Sequence, residues 1–197
     1  MTTASDNFNR AGPGLGANWT SPLAGITISG NAVLGSSAVD CRSWWNANIW
    51  GTDQKSSVVV GTVAANNQYC GATCNASGAT SGTYNGYEIS TDGSSGATHT
   101  ELARFDNGVQ TVLANFATTF VNGDKLTTST VKSGSHYLIS LLKNDVQIGS
   151  AFDDATPPSG AATGAPGIAT FNTATLDTWN ATDGVLAGAT LMGQACL

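Results

Sequence analysis

Hydrophobic and polar positions alternate with a period of two over much of the chain, the pattern of strands with one buried face. Residues 25–29 (GITIS) alternate, Gly30-Asn31 supplies a two-residue turn, and 32–34 (AVL) returns, which predicts a hairpin. Residues 37–45 put Val39, Cys41, Ser43 and Trp45 on one face and Asp40, Arg42 and Trp44 on the other. The first set is the drier and is predicted to face the core. Trp44 and Trp45 cannot share one core layer in a regular strand, so one looks outward or sits in a bulge. Further strands are predicted over 55–63, 68–74, 84–90 and 126–131, with hairpins around Asp106-Asn107-Gly108 and Asn144-Asp145. Residues 75–83, 92–96 and 156–166 read as loops, and 117–125 as the place for one short helical turn. Many short strands at intervals of about ten residues predict an all-β sandwich or barrel rather than alternating strands and helices.

Composition narrows the picture. A chain of 197 residues suits one large β-sandwich. Hydrophobic residues make up 41% and charged residues 10%, so a core is available and the surface must be covered mainly by Thr, Ser, Asn and Gly. The net charge of −6 provides no basic patch to meet phosphates, which argues against a nucleic-acid partner. No apolar run is long enough to span a bilayer, so no membrane partner is expected. The opening MTTASDNF has neither the basic nor the apolar segment of a secretory signal. Either a signal has been replaced, or the protein is made and assembled in the cytoplasm. Residues 185–197 (VLAGATLMGQACL) are apolar and uncharged. They are expected to lie beyond a 1–184 domain, as a last strand or docked extension, or as a contact with another chain.

Four cysteines, Cys41, Cys70, Cys74 and Cys196, allow three pairings, and spacing does not choose among them. Cys70 and Cys74 could staple a loop, but not one extended strand, whose ends would lie roughly 13 Å apart. No second close Cys pair exists and His99 and His136 are isolated, so a disulfide or buried thiols are expected ahead of zinc.

Two stretches carry a resemblance. Near the start stands D-x-FNRA…LG-x-NWT, within residues 5–20. Near the end stand G-x-PGIA, from Gly164, and LD-x-W, ending at Trp179. Over about residues 4–184 the chain resembles the concanavalin-like jelly rolls: legume lectins, laminin G modules and family 16 glucanases. The resemblance implies a two-sheet antiparallel sandwich with the N-terminal strand filed beside the C-terminal one. It also implies the company such modules keep, in structural proteins of tailed phages and in secreted bacterial carbohydrate-binding proteins.

Glycan-cleaving enzymes need a pair of carboxylates, which family 16 glucanases carry as Glu-x-Asp-x-x-Glu. Only two glutamates are present, Glu88 and Glu101, and neither falls in that pattern. Asp153 and Asp154 are adjacent and should point to opposite faces of a strand. No nucleophile elbow or phosphate-binding loop is present, so no enzyme is expected. Sugar binding needs flat aromatic faces and planar polar groups. Asp40, Arg42 and Trp44 on one strand, with Trp50 and Tyr84 on nearby loops, are the candidates. Core packing is the competing role for each Trp, and the expected one for Trp19 and Trp179. The resemblance further suggests Ca2+ between the first and last strands, at Asp6 and Asp177, with backbone carbonyls completing six to eight oxygens. The alternative is that Asp6 caps a turn and Asp177 is solvated. The expected role is a non-enzymatic, lectin-like structural protein on a tailed-phage virion surface, a capsid decoration or fibre protein. It would bind surface glycans, contact other virion proteins and form a homo-oligomer. The alternative is a secreted carbohydrate-binding module of a polysaccharide-degrading system.

Overall fold

The foreseen hairpins are present, and their turns explain them. Gly30-Asn31, Asn107-Gly108 and Asn144-Asp145 all have positive φ at both positions. That is the mirror-image turn whose twist matches paired strands, and Asn, Asp and Gly tolerate it best. The computed structural model describes residues 1–22, 26–35, 40–62, 68–91 and 99–184. The expectations for Gly25, 37–39, Val63, the 92–96 turn, Thr98, Cys196 and the 185–197 tail lie outside these residues.

In chain order the strands are β1 (Thr3–Asp6), β2 (Trp19–Thr20), β3 (Thr27–Ser29), β4 (Ala32–Leu34), β5 (Asp40–Trp45), β6 (Gln54–Thr62), β7 (Tyr69–Ser77) and β8 (Asn85–Thr91). Then come β9 (Thr100–Asp106), β10 (Val109–Phe116), β11 (Lys125–Ser133), β12 (His136–Lys143), β13 (Val146–Asp154), β14 (Ala165–Phe171) and β15 (Thr175–Asp183). An eight-stranded sheet runs β13-β12-β11-β6-β15-β4-β3, with β1 also on β15. A seven-stranded sheet runs β10-β9-β8-β7-β14-β5-β2, and every pairing is antiparallel. The first and last strands meet as the resemblance implies, Thr3 opposite Thr182 and Asp6 opposite Trp179. The 5–20 stretch then crosses to the other sheet, where Trp19 pairs with Trp45. Among the described residues the one helical turn is a 3-10 turn at Ser81–Thr83, and 117–125 holds none. Strand β7 runs on to Ser77, into the region read as loop.

The parity argument for Trp44 and Trp45 holds. Trp45 points between the sheets and stacks on Trp179, with centroids 5.3 Å apart, while Trp19 meets both rings edge-on. Trp179 is fully buried and donates its Nε1–H to Ser56 Oγ at 2.9 Å. Trp19 and Trp179 thus pack in the core as expected. Cys70 and Cys74 share the inner side of an extended β7, and Cys41 and Cys70 flank Thr170 on either side of β14. Those separations are roughly 13 Å and 10 Å, too long for a disulfide, and neither pair is bridged. Burial pushes the Cys70 and Cys74 thiols up to about 12.

Candidate functional site

The outer face of the seven-stranded sheet carries Asp40, Arg42 and Trp44. It is not the wet face that the alternation predicts. Arg42 is 4% exposed and Glu88 3%. Register puts Arg42 in a row with Ala169, Gly71 and Ser90. It puts Trp44 in a row with Gly167, Thr73 and Glu88. The small residues between leave room for the Arg42 side chain to lie across β14 and β7. Its Nε donates to Glu88 Oε2 at 2.6 Å, and its guanidinium sits 4.0 Å from the Phe105 ring centre and 5.4 Å from that of Tyr84. Burial works against the Arg42 charge, but Glu88, Tyr69 and Tyr84 together outweigh it and Arg42 is held above its ordinary value. Glycine is required at Gly71, where a Cβ would lie 2.3 Å from the Ile89 carbonyl oxygen. Asp40, half-exposed, accepts the Tyr69 hydroxyl at 2.7 Å. Of the residues proposed for sugar binding, Arg42 and Tyr84 are therefore buried and engaged with the protein itself.

Trp44 and Trp50 come together in a cleft of about 730 Å³ at one end of the sandwich. Its walls are the loop after β5 (46–50), the end of β7 and its turn (76–79), and the loop before β14 (162–165). Trp44, Trp45 and Trp50 are among its lining, Trp44 and Trp50 only 9% and 7% exposed, and Ile49, 95% exposed, stands at the rim. Trp50 donates its Nε1–H to the Trp45 carbonyl at 3.3 Å, and Trp45 donates its own to Asn48 Oδ1 at 2.7 Å. Among the described residues no Asp, Glu, Lys, Arg or His lines the cleft. Tyr84 packs behind Trp44 at 6.1 Å between centroids, and Asp40 and Arg42 lie outside the lining.

Two buried carboxamides that sequence reading passed over hold the three walls together. Gln54 Nε2 donates to the Gly51 and Gly164 carbonyls at 2.9 and 2.7 Å, and its Oε1 accepts the Asn75 N–H at 2.7 Å. Asn75 Nδ2 donates to the Thr52 and Ala161 carbonyls, both at 2.9 Å, and its Oδ1 accepts the Thr130 hydroxyl at 2.7 Å. Asn75 has φ 55, a left-handed conformation that Asn tolerates better than most residues. It sits where the β7–β8 register shifts between Cys74 and Ser77, and this bulge re-aims Ala76 and Ser77 toward the cleft. An Asn inside a strand-like run was the available signal, since Asn is depleted in regular strands. Asp183 adds a fourth tie by accepting the Gly51 N–H at 2.8 Å, together with the Thr2 N–H. Burial would raise the Asp183 carboxyl, but those two amides hold it below its ordinary range.

Asp6 and Asp177 do not assemble a cation site. Asp6 accepts the Phe8 N–H at 2.8 Å, the Trp19 indole at 2.9 Å and both Arg10 terminal nitrogens at 2.6 and 2.9 Å. Burial would raise its carboxyl, but Arg10, the Phe8 amide and Trp19 together hold it below the ordinary range. Asp177 lies beyond a register shift between Leu176 and Trp179, is exposed, and accepts from its neighbour Thr178. A hard cation needs six to eight oxygens, and here one of the two carboxylates is already neutralised by a guanidinium. Among the described residues no group of three or more His, Cys, Asp or Glu is placed to hold an ion. Chelation is accordingly expected to leave the melting temperature unchanged, since only a ligand bound to the folded state stabilises it. A fall of several degrees in EDTA, reversed by Ca2+, would contradict this.

No family model matches the chain, and neither does any curated protein. Solved structures do. A protein of unknown function with a galectin-like fold from Bacillus subtilis superposes with a TM-score of 0.63 at 12% identity, over 85% of this chain and 90% of the other. The carbohydrate-binding module CBM66 from Bacillus subtilis gives 0.59 at 18% identity, over 82% and 91%. A β-1,3-1,4-glucanase (lichenase) from a mouse hindgut metagenome gives 0.58 at 10% identity, over 94% and 100%. At such identities the likeness speaks for the fold alone, and the fold is a concanavalin-like, lectin-type jelly-roll sandwich.

Proposed function

We propose that the chain is a non-enzymatic glycan-binding module that receives its ligand in the end cleft. The observation that carries this reading is the cleft itself: about 730 Å³, lined by parts of Trp44, Trp45 and Trp50 and rimmed by Ile49, Asn46 and Asn48. Apolar faces beside a few fixed polar groups are what sugar rings require, and the volume falls in the usual range for small-molecule sites. The non-enzymatic half is supported by the placement of acids. Among the described residues no carboxylate lines the cleft, and Glu88 is neutralised by Arg42. The setting proposed with it is a tailed-phage virion surface, where many copies raise avidity without any new contact. A surface with few charges, read from composition, is the support for that setting, and antibody labelling of intact particles tests it.

The binding test is a titration of the purified chain with a polysaccharide panel, followed by tryptophan fluorescence and by an assay for released reducing ends. A bound glycan should shift the emission of the cleft tryptophans, and no reducing ends should appear. Ile49→Ser should weaken binding by about tenfold through lost apolar burial, with the melting temperature unchanged. Release of reducing ends overturns the non-enzymatic half of the reading. No binding across the panel overturns the whole of it.

A further inference from the structure

We infer that the cleft is selective for uncharged glycans and that the Asn48 carboxamide is the donor that reads them; this rests on the glycan-binding reading above. Two independent observations carry the inference. The first is charge. All seven Lys and Arg lie away from the cleft, and six of them are already paired with carboxylates. A uronate, sulfate or phosphate entering the cleft would lose water and meet no cation, which is costly for an anion. The chain's net charge of −6 adds repulsion at longer range. Hydroxyls pay no such penalty, because carboxamides and other hydroxyls replace their hydrogen bonds to water.

The second is the orientation of the rim amides. An indole N–H only donates, so the Asn48 atom 2.7 Å from Trp45 Nε1 must be the carbonyl oxygen. Trp45 is itself held by stacking on Trp179. The amide is thereby fixed with its NH2 turned away from Trp45, and among the described residues that NH2 has no protein acceptor. Asn46 Nδ2 donates to Thr20 Oγ1 at 2.8 Å, which leaves Asn46 Oδ1 as an acceptor without a partner among the described residues. Both residues line the cleft and both are exposed. One preset donor and one preset acceptor, in a cleft that tryptophans also line, match a sugar ring oxygen or hydroxyl lying beside a hydroxyl. A carboxylate or sulfate, which only accepts, could use the Asn48 donor and would face the Asn46 acceptor unfavourably.

The decisive comparison titrates the intact chain with neutral polysaccharides (a β-glucan, a mannan and a fructan) and with polygalacturonate and a sulfated galactan. Each is run at low salt and at about 0.5 M NaCl, where exposed charge pairs are screened. A neutral polysaccharide should bind with an affinity that salt does not change. Asn48→Asp keeps the acceptor for Trp45 and replaces the donor by a second acceptor. It should reduce that affinity at least about tenfold while leaving the melting temperature and the stacked-tryptophan near-UV signal unchanged. Asn48→Ala should show a smaller loss in the same direction. Preference for the acidic polymers, with salt-sensitive binding indifferent to Asn48, overturns this inference while leaving glycan binding in place. So does neutral-glycan binding that both Asn48 variants retain in full. Failure to bind any of the five removes the glycan-binding reading on which the inference stands.

Discussion

Replacing Glu88 by Gln is expected to lower the unfolding free energy by up to about 3–5 kcal/mol, because it removes the nearer of two carboxylates on the buried Arg42 charge and leaves only the half-exposed Asp40, at 3.5 Å. The Arg42 side chain is 5% exposed and that of Glu88 3%, so water cannot take over when the partner loses its charge. The guanidinium cannot escape by losing its proton, since an arginine stays charged in proteins. Ring faces at 4.0 and 5.4 Å cushion the cation without neutralising it. A typical domain of this kind has only about 5–15 kcal/mol in hand, so a cost of that size would be plain in a urea melt. The double variant Arg42→Met/Glu88→Leu should recover most of the loss, because removing both charges also removes both desolvation costs. A Glu88→Gln protein within about 1 kcal/mol of the parent would mean that the pair is hydrated in solution or that Asp40 suffices to hold the Arg42 charge. The same pair bears on function, since one of the chain's two glutamates is committed to the arginine beside it.

Local features were the legible ones. Period-two alternation and Asn, Asp and Gly at turns are written within a few residues, and the three hairpins around Gly30, Asn107 and Asn144 followed from them. The opposite facing of Trp44 and Trp45 followed from parity alone. What the sequence hid is non-local. Arg42 looked like a wet residue because its buried partner, Glu88, stands 46 positions away, on the third strand over, and only half-exposed Asp40 is near it in sequence. Nothing near Arg42 announces that Ala169 and Gly71 will lie beside it and leave the space that it fills. The cleft was half visible. Trp44 and Trp50 were singled out for their chemistry, whereas Asn48 acquires its meaning only once Trp45 is seen to point its N–H outward along the strand end. The Asp6–Asp177 suggestion found the right neighbouring strands but not the bulge before Trp179 or the claim of Arg10 on Asp6.

Asn75→Ala is expected to be nearly as damaging as Glu88→Gln, and its effect should be concentrated at the cleft. The substitution leaves the Thr52 and Ala161 carbonyls without their side-chain donor and the Thr130 hydroxyl with only the Gln54 carbonyl at 3.5 Å, and each buried orphan costs about 1–3 kcal/mol. It also asks alanine to hold φ 55, which adds roughly 1–2 kcal/mol. Partial relaxation and entry of water would bring the sum down to about 3–5 kcal/mol in a denaturant melt. The pattern of damage matters more than its size. Thr52 follows one wall of the cleft, Ala161 immediately precedes another, and Asn75 itself leads into the third. Amide exchange should therefore accelerate together in 46–53, 76–79 and 161–165, while the β11–β12 hairpin, which Asn75 touches only through Thr130, keeps its protection. Asn75→Gly, which tolerates the left-handed conformation but lacks the amide, should show the same spread with a smaller loss of stability. If exchange instead rises evenly over both sheets, Asn75 is an ordinary core residue. The walls of the cleft would then be held by their own strands rather than by the paired amides of Asn75 and Gln54.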